Sequence, residues 1–321
     1  MGYKLRCMSR LRRLLVQLPI LVVGGLGLGC KQERVPGGTI NPPPQAISGE
    51  PSPAVDTGNI LKWDSAGGRG LVLAANASGD GAMVLLPSYA PGEFHGWHSA
   101  DIHPLANTRW DLFGRTGGFG TVQLVPEQGG GDPDGCTSWP PATVHGAAPG
   151  WRTAFEAGVA TPVRLDSIEA MSSADSSRLT IEITRLASST HGPDDSLFST
   201  IPFVVRNAYR FQTADIEGVV ALVQRSIHSE ANPREEHLFL VMERPVGSTN
   251  SYKLGYITRA AGSEWETPLT DVLAMVTLTA THRLVLIASR EFADEGEIWW
   301  IERLGPDRWR STWRSAAAGC S

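Results

Sequence analysis

Cysteine is scarce in this chain, and the short motifs of the common catalytic and metal sites are missing. The four cysteines among 321 residues form no Cys-x-x-Cys pair, the arrangement that marks many zinc and redox sites. There is also no Gly-x-Ser-x-Gly elbow, no His-Glu-x-x-His helix and no phosphate-binding loop. A Ser-His-Asp triad is defined by geometry, so an abundance of these residues does not indicate one. The sequence therefore predicts no catalytic residue and no cofactor.

The main apolar run is too short for a membrane-spanning helix. Segment 14–28 falls below the roughly 20 residues that such a helix needs, and Pro19 weakens it further. Five basic residues and no acidic residue precede it, the last of them Arg13. A basic stretch followed by a short apolar segment is typical of an export signal peptide.

A cysteine with small residues before it follows the apolar run. Gly27-Leu28-Gly29-Cys30 resembles the lipobox of bacterial lipoproteins, and no Ala-x-Ala cleavage site lies nearby. The resemblance implies that the chain is cut before Cys30 and that diacylglycerol and palmitate on this cysteine anchor the mature protein to a membrane. By the same resemblance, Lys31 favours the outer membrane if the cell is Gram-negative. An ordinary core cysteine and an uncleaved anchor are the alternatives.

Acidic residues exceed basic ones in the expected mature chain. Removing the five basic residues of 1–29 from the 28 Lys and Arg leaves 23, against 33 Asp and Glu, a formal net charge of −10. A negative surface repels phosphate backbones, so nucleic acid is not an expected partner. The expected partners are the membrane, through lipid on Cys30, and an unidentified protein or glycan.

Four segments are predicted along the chain. They are a signal peptide (1–29), a Pro/Gly-rich tether (30–60), an N-terminal β half (61–150) and a helix-containing, repeat-bearing β half (151–321). The two β halves are expected to pack as one unit. A flexible tether of about 30 residues reaches on the order of 30 Å, which would hold the folded part away from a lipid surface.

The predicted fold class is mainly β (α+β), with antiparallel β meanders and one or two helices near 165–190. Glycine-containing turns at 79–81 and 116–118 each separate two short apolar runs, as in β-hairpins. The apolar residues of 172–190 fit both helix and strand spacing. The stripe that continues through Leu186 favours the helix.

The C-terminal third contains an internal repeat of about 45 residues. Segments 236–265 and 283–309 share an apolar strand ending in Arg, then aromatic-Ile-x-Arg, a turn and a Trp. This pattern predicts two similar antiparallel meanders. The closing tryptophans, Trp265 and Trp309, are expected to occupy equivalent positions.

One cluster of potential metal ligands is present. Three imidazoles and one carboxylate fall within nine residues: His95, His98, Asp101 and His103. These groups are ligands for zinc and copper, so a metal site is the alternative here. The bracketing Pro91 and Pro104 indicate a loop, and a solvated polar loop is the favoured interpretation.

The last strand region is rich in tryptophan. If Trp309 and Trp313 share one exposed face of a strand, their rings could stack on a sugar or peptide ligand. The favoured interpretation is core and edge packing of the last hairpin.

Two cysteines remain once Cys7 leaves with the signal peptide and Cys30 carries lipid. Cys136 and Cys320 are an even pair in an oxidising compartment, which favours one disulfide bond. Two unrelated free thiols are the alternative.

The sequence thus favours an envelope-anchored lipoprotein with a binding or structural role rather than an enzyme. The alternative is an envelope hydrolase or metal-dependent enzyme centred on the loop from His95 to His103.

Overall fold

Antiparallel strands make up most of the described chain, which confirms the mainly β prediction. The computed structural model describes residues 62–87, 99–127, 139–192, 195–228, 232–292 and 295–319. Among these residues, no helix is both long and apolar enough to cross a membrane.

The first six strands close into a barrel in the order β1-β2-β5-β4-β3-β6. Their bounds are β1 (Leu71–Ala74), β2 (Gly81–Leu85), β3 (Arg109–Gly114), β4 (Gly117–Pro126), β5 (Pro141–Val144) and β6 (Thr153–Glu156). The short helix α1 (Ser99–Ile102) and a 3-10 turn (His103–Leu105) lie between β2 and β3. Both predicted hairpins are confirmed, because β1 pairs with β2 and β3 pairs with β4.

The remaining strands form two further antiparallel sheets. The first has the order β12-β11-β10-β9-β8 and the second the order β16-β15-β14-β13-β7, with β17 paired to β15. The bounds are β7 (Ala160–Val163), β8 (Asp166–Ser167), β9 (Val204–Gln212), β10 (Ile216–Ile227), β11 (Arg234–Pro245), β12 (Lys253–Ser263), β13 (Leu269–Leu278), β14 (Leu284–Phe292), β15 (Glu295–Gly305), β16 (Arg308–Arg314) and β17 (Ala318–Gly319).

The ambiguous segment near residue 180 is helical, as predicted. Helix α2 spans Ser173–Ser189, and a four-residue helix, α3 (Asp195–Phe198), follows it. The Ser172 hydroxyl caps α2 by accepting a hydrogen bond from the amide of Asp175. Leu179, Ile183 and Ala187 recur every fourth residue on one face and are buried, which fixes the helix against the first sheet.

Three apolar cores separate the layers. One lies between the barrel and the β13–β16 sheet, one between the two sheets, and one between the β9–β12 sheet and α2. Trp299 and Trp300 are consecutive on β15 and therefore point to opposite faces, Trp299 toward the other sheet and Trp300 toward the barrel. The β13–β16 sheet is thus buried on both faces.

The strands of the internal repeat match, but its tryptophans do not. In each copy an apolar strand is followed by an antiparallel partner, β11 by β12 and β14 by β15. Trp265 lies in a turn after β12 and is 78% exposed, whereas Trp309 lies on β16 and is 5% exposed. The expected equivalence of the two tryptophans is wrong, because β15 continues into a tight hairpin with β16 while the chain leaves the sheet after β12.

Candidate functional site

A groove of about 620 Å³ lies between helix α2, the β9–β11 strands and the loop that joins β11 to β12. We call it the α2 groove. Its lining residues are Met171, Asp175, Arg178, Leu179, Ile181, Glu182, Arg185, Arg210, Glu217, Arg244 and 248–252. Its volume is in the range of roughly 300–1,000 Å³ that is usual for small-molecule sites.

The helix wall of the groove carries two arginines. Arg178, Glu182 and Arg185 are spaced by four and three residues, which places them along one face of α2. Ile181 lies beside them and is 68% exposed. This face is next to the stripe that packs on the sheet, so the helix presents polar groups to the groove while its apolar face stays buried.

The floor of the groove is an ion cluster built by strand register. Glu217 on β10 is the direct partner of Arg244 on β11. Arg210 on the other neighbouring strand, β9, lies diagonally across from Glu217. The Glu217 carboxylate accepts a hydrogen bond from Arg244 Nε at 2.6 Å and from Arg210 Nη2 at 3.2 Å. One carboxylate therefore bridges two guanidinium groups.

The β11–β12 loop closes the end of the groove. Arg244 Nη1 donates to the carbonyl of Asn250 at 3.0 Å, and its guanidinium lies 4.2 Å from the centre of the Tyr252 ring. The amide of Tyr252 donates to Glu182 Oε1 at 2.7 Å, so the loop is tied to α2 as well. These contacts thus link helix, sheet and loop to one another around the groove.

Tyr252, the one aromatic side chain of the described residues that lines the groove, has a raised pKa. The Tyr252 side chain is buried, and burial raises the pKa of its phenol, with a further contribution from the Glu217 carboxylate. A tyrosine phenol is protonated at neutral pH in any case, and the shift is in the direction that keeps it so; it can donate a hydrogen bond.

The predicted metal cluster is described only in part. Asp101 lies in α1 and is exposed, and His103 is exposed at the start of the 3-10 turn. His95 and His98 lie outside the described residues. Within the described ranges, no three His, Cys, Asp or Glu side chains converge as metal ligands.

The ligand-stacking alternative for Trp309 and Trp313 is wrong, because both rings are buried. Trp309 packs between the two sheets and donates to Glu243 Oε2 at 2.7 Å. Trp313 is 2% exposed and faces the barrel, with its ring centre 4.7 Å from that of Trp63.

The two rings point to opposite faces because β16 contains a bulge between them. Trp300 on β15 pairs with Trp313. The next residue on β15, Ile301, pairs with Ser311, so one residue of β16 has no partner on β15.

The predicted covalent sites lie outside the described residues. Cys30, Cys136 and Cys320 all fall there. Lipid attachment at Cys30 and a disulfide between Cys136 and Cys320 stay predictions.

Sequence reasoning missed the α2 groove. The spacing of Arg178, Glu182 and Arg185 was a local signal for one polar helix face. The floor had no comparable signal, because Glu217 and Arg244 are 27 residues apart and meet only through the β10–β11 register.

Comparison of the chain with protein-family models, with curated proteins and with solved structures finds no match.

Proposed function

We propose that this chain is a lipid-anchored envelope protein whose folded part binds a ligand in the α2 groove. The observation that carries the proposal is the groove itself, a concave surface of small-molecule size whose polar walls are held by helix, sheet and loop contacts.

The chemistry of the groove favours binding over catalysis. Guanidinium groups stay protonated at physiological pH, so Arg178, Arg185, Arg210 and Arg244 serve recognition rather than proton transfer. The Tyr252 phenol is protonated at neutral pH, as an ordinary tyrosine is, and burial raises its pKa further, so it serves as a hydrogen-bond donor.

The N-terminal sequence supports the proposed location. A basic stretch, the apolar segment 14–28 and the lipobox-like Gly27–Cys30 tetrapeptide resemble a lipoprotein export signal. Lipid on Cys30 and a tether over 30–60 would hold the folded part near the membrane surface, with Lys31 favouring the outer membrane if the cell is Gram-negative. A disulfide between Cys136 and Cys320 fits the same compartment.

A groove-filling substitution tests the binding role. The purified protein is mixed with the small-molecule fraction of an envelope extract, and retained adducts are detected by native mass spectrometry. Ile181→Trp adds bulk to an exposed position in the groove, so we expect it to abolish the adduct.

Val204→Trp is the matched control, since Val204 is 59% exposed on β9 and does not line the groove. We expect this variant to keep the adduct of the wild type. Absence of any retained adduct on the wild type, or equal retention by Ile181→Trp, would contradict the proposal.

A further inference from the structure

We infer that the ligand of the α2 groove presents an oxyanion, a carboxylate or a phosphate, to its arginines. This inference rests on the proposed binding function and names the class of ligand. It follows from the hydrogen-bonding groups that the groove leaves unused.

The unused groups on the floor are donors. Within the described residues, Arg210 makes hydrogen bonds only through Nη2, and Arg244 only through Nε and Nη1. Arg210 Nε and Nη1 and Arg244 Nη2 therefore keep N–H groups that a ligand could use. The Glu217 carboxylate is occupied by these same two arginines, so it is not a free acceptor.

The helix wall adds a further donor. Arg185 is exposed and makes no hydrogen bond or ion pair to another described residue. The carboxylate nearest to it along the helix face, Glu182, is bonded to the amide of Tyr252. Arg178 is paired with Asp175 over 2.7 Å at the other end of the groove.

The charge of the lining points the same way. The groove is lined by four arginines and by three carboxylates, Asp175, Glu182 and Glu217, so the formal charge of its lining is +1. The expected mature chain has a net charge of −10, so the groove is positively charged on a protein that is negatively charged as a whole. A site that concentrates guanidinium groups on an acidic protein attracts anions locally.

Guanidinium groups also match the geometry of an oxyanion. The planar fork of arginine donates two parallel N–H bonds to a carboxylate or phosphate, and charge-assisted bonds of this kind are the strong ones. The protonated phenol of Tyr252 and the hydroxyls of Ser248, Thr249 and Ser251 line the same space and can donate as well. A neutral sugar would leave the Arg185 guanidinium without a counter-charge among the described residues.

Calorimetric titration with defined anions tests the inference. Citrate represents a carboxylate ligand, pyrophosphate a phosphate ligand, and glucose is the neutral control, each titrated into the purified protein at low ionic strength. We expect at least one anion to bind and glucose not to bind. The anion that binds more tightly shows whether the groove prefers a carboxylate or a phosphate.

Two substitutions place the binding in the groove. Arg185→Gln changes an exposed helix residue without disturbing an internal bond, and we expect it to weaken anion binding roughly tenfold. Arg244→Lys keeps the charge but loses the fork, and it should weaken binding while the fold is retained. Arg206→Gln is the matched control, an exposed arginine on the same strand as Arg210 that does not line the groove.

The outcomes separate the inference from the function on which it rests. Absence of binding by both anions, tighter binding of glucose, or equal effects of Arg185→Gln and Arg206→Gln would overturn the inference. If the wild type retains a neutral adduct from the envelope extract and Ile181→Trp loses it, the binding function stands and only the assignment of an oxyanion ligand is wrong.

Discussion

Glu217 and Arg244 lie directly opposite each other on β10 and β11, and Arg244 Nε donates to Glu217 Oε1 over 2.6 Å. Arg210 bonds to the other oxygen of the same carboxylate. The floor of the α2 groove therefore depends on a single acidic side chain that separates two positive ones.

Replacement of that carboxylate should destabilise the protein. Glu217→Gln leaves Arg210 and Arg244 facing each other without a counter-charge, so we expect the free energy of unfolding to fall by roughly 1–3 kcal/mol. Urea unfolding measures this change. Glu291→Gln is the control, because the exposed Glu291 carboxylate makes no hydrogen bond to the described residues. Equal stability of the two variants would contradict the structural role of Glu217.

A close backbone approach on β10 gives a steric prediction. A Cβ at Gly218 would lie 2.2 Å from Cζ of Phe211 and 2.8 Å from the carbonyl oxygen of Met242. Gly218→Ala should therefore lower the free energy of unfolding by about 1–3 kcal/mol. Gly118→Ala on β4 is the control, since its Cβ would have no neighbour nearer than 3.7 Å. Thermal unfolding of both variants gives the comparison, and a stable Gly218→Ala protein would refute the packing described for this strand.

The last strand of the barrel carries a pH-dependent contact. A hydrogen bond from Arg69 lowers the pKa of Glu156 below its usual value of 4.5, against the opposing effect of burial. A carboxylate with a lowered pKa stabilises the folded state above pH 4.5, and this contribution is lost as the pH falls below that value.

Glu156→Gln should therefore be less stable than the wild type at pH 7, by under about 1 kcal/mol because the pair is partly exposed. The difference should shrink between pH 4.5 and pH 3. Urea midpoints measured across this range check the expectation. A difference that stays constant down to pH 3 would show that Glu156 does not act through its charge.

The proposed anchor has its own prediction. Cys30→Ser removes the thiol that would receive diacylglycerol, so the precursor should remain uncut or mislocalised. Labelled fatty acid should enter the wild type and not the variant. Equal labelling of the two proteins would show that Cys30 is not the lipid site.

Local patterns predicted the local parts of the fold. The glycine turns at 79–81 and 116–118 predicted the two barrel hairpins, and the apolar stripe through Leu186 predicted α2. These features depend on neighbouring residues, which the sequence displays directly. The closure of six strands into a barrel depends on pairings between distant segments, such as β1 with β6, that no local pattern encodes.

Long-range register accounts for what the sequence did not predict at the candidate site. Simple alternation along β16 places Trp309 and Trp313 on one face, but a bulge between them reverses the alternation and both rings are buried. The groove floor has the same origin, because Arg210, Glu217 and Arg244 come together only through the pairing of three strands. The spacing of the polar residues on α2 is local, but their place in a groove depends on the loop that lies opposite.

Direct observation of the arginine side chains tests the central claim, that the α2 groove binds an oxyanion. In a nitrogen-15 NMR titration with citrate and, separately, with pyrophosphate, the Nε–H signals of Arg185, Arg210 and Arg244 are followed, with Arg206 as the internal reference. The account predicts saturable shifts of the three groove signals by at least one anion while Arg206 stays in place. Groove signals that do not move with either anion, or that move no more than Arg206, would contradict it.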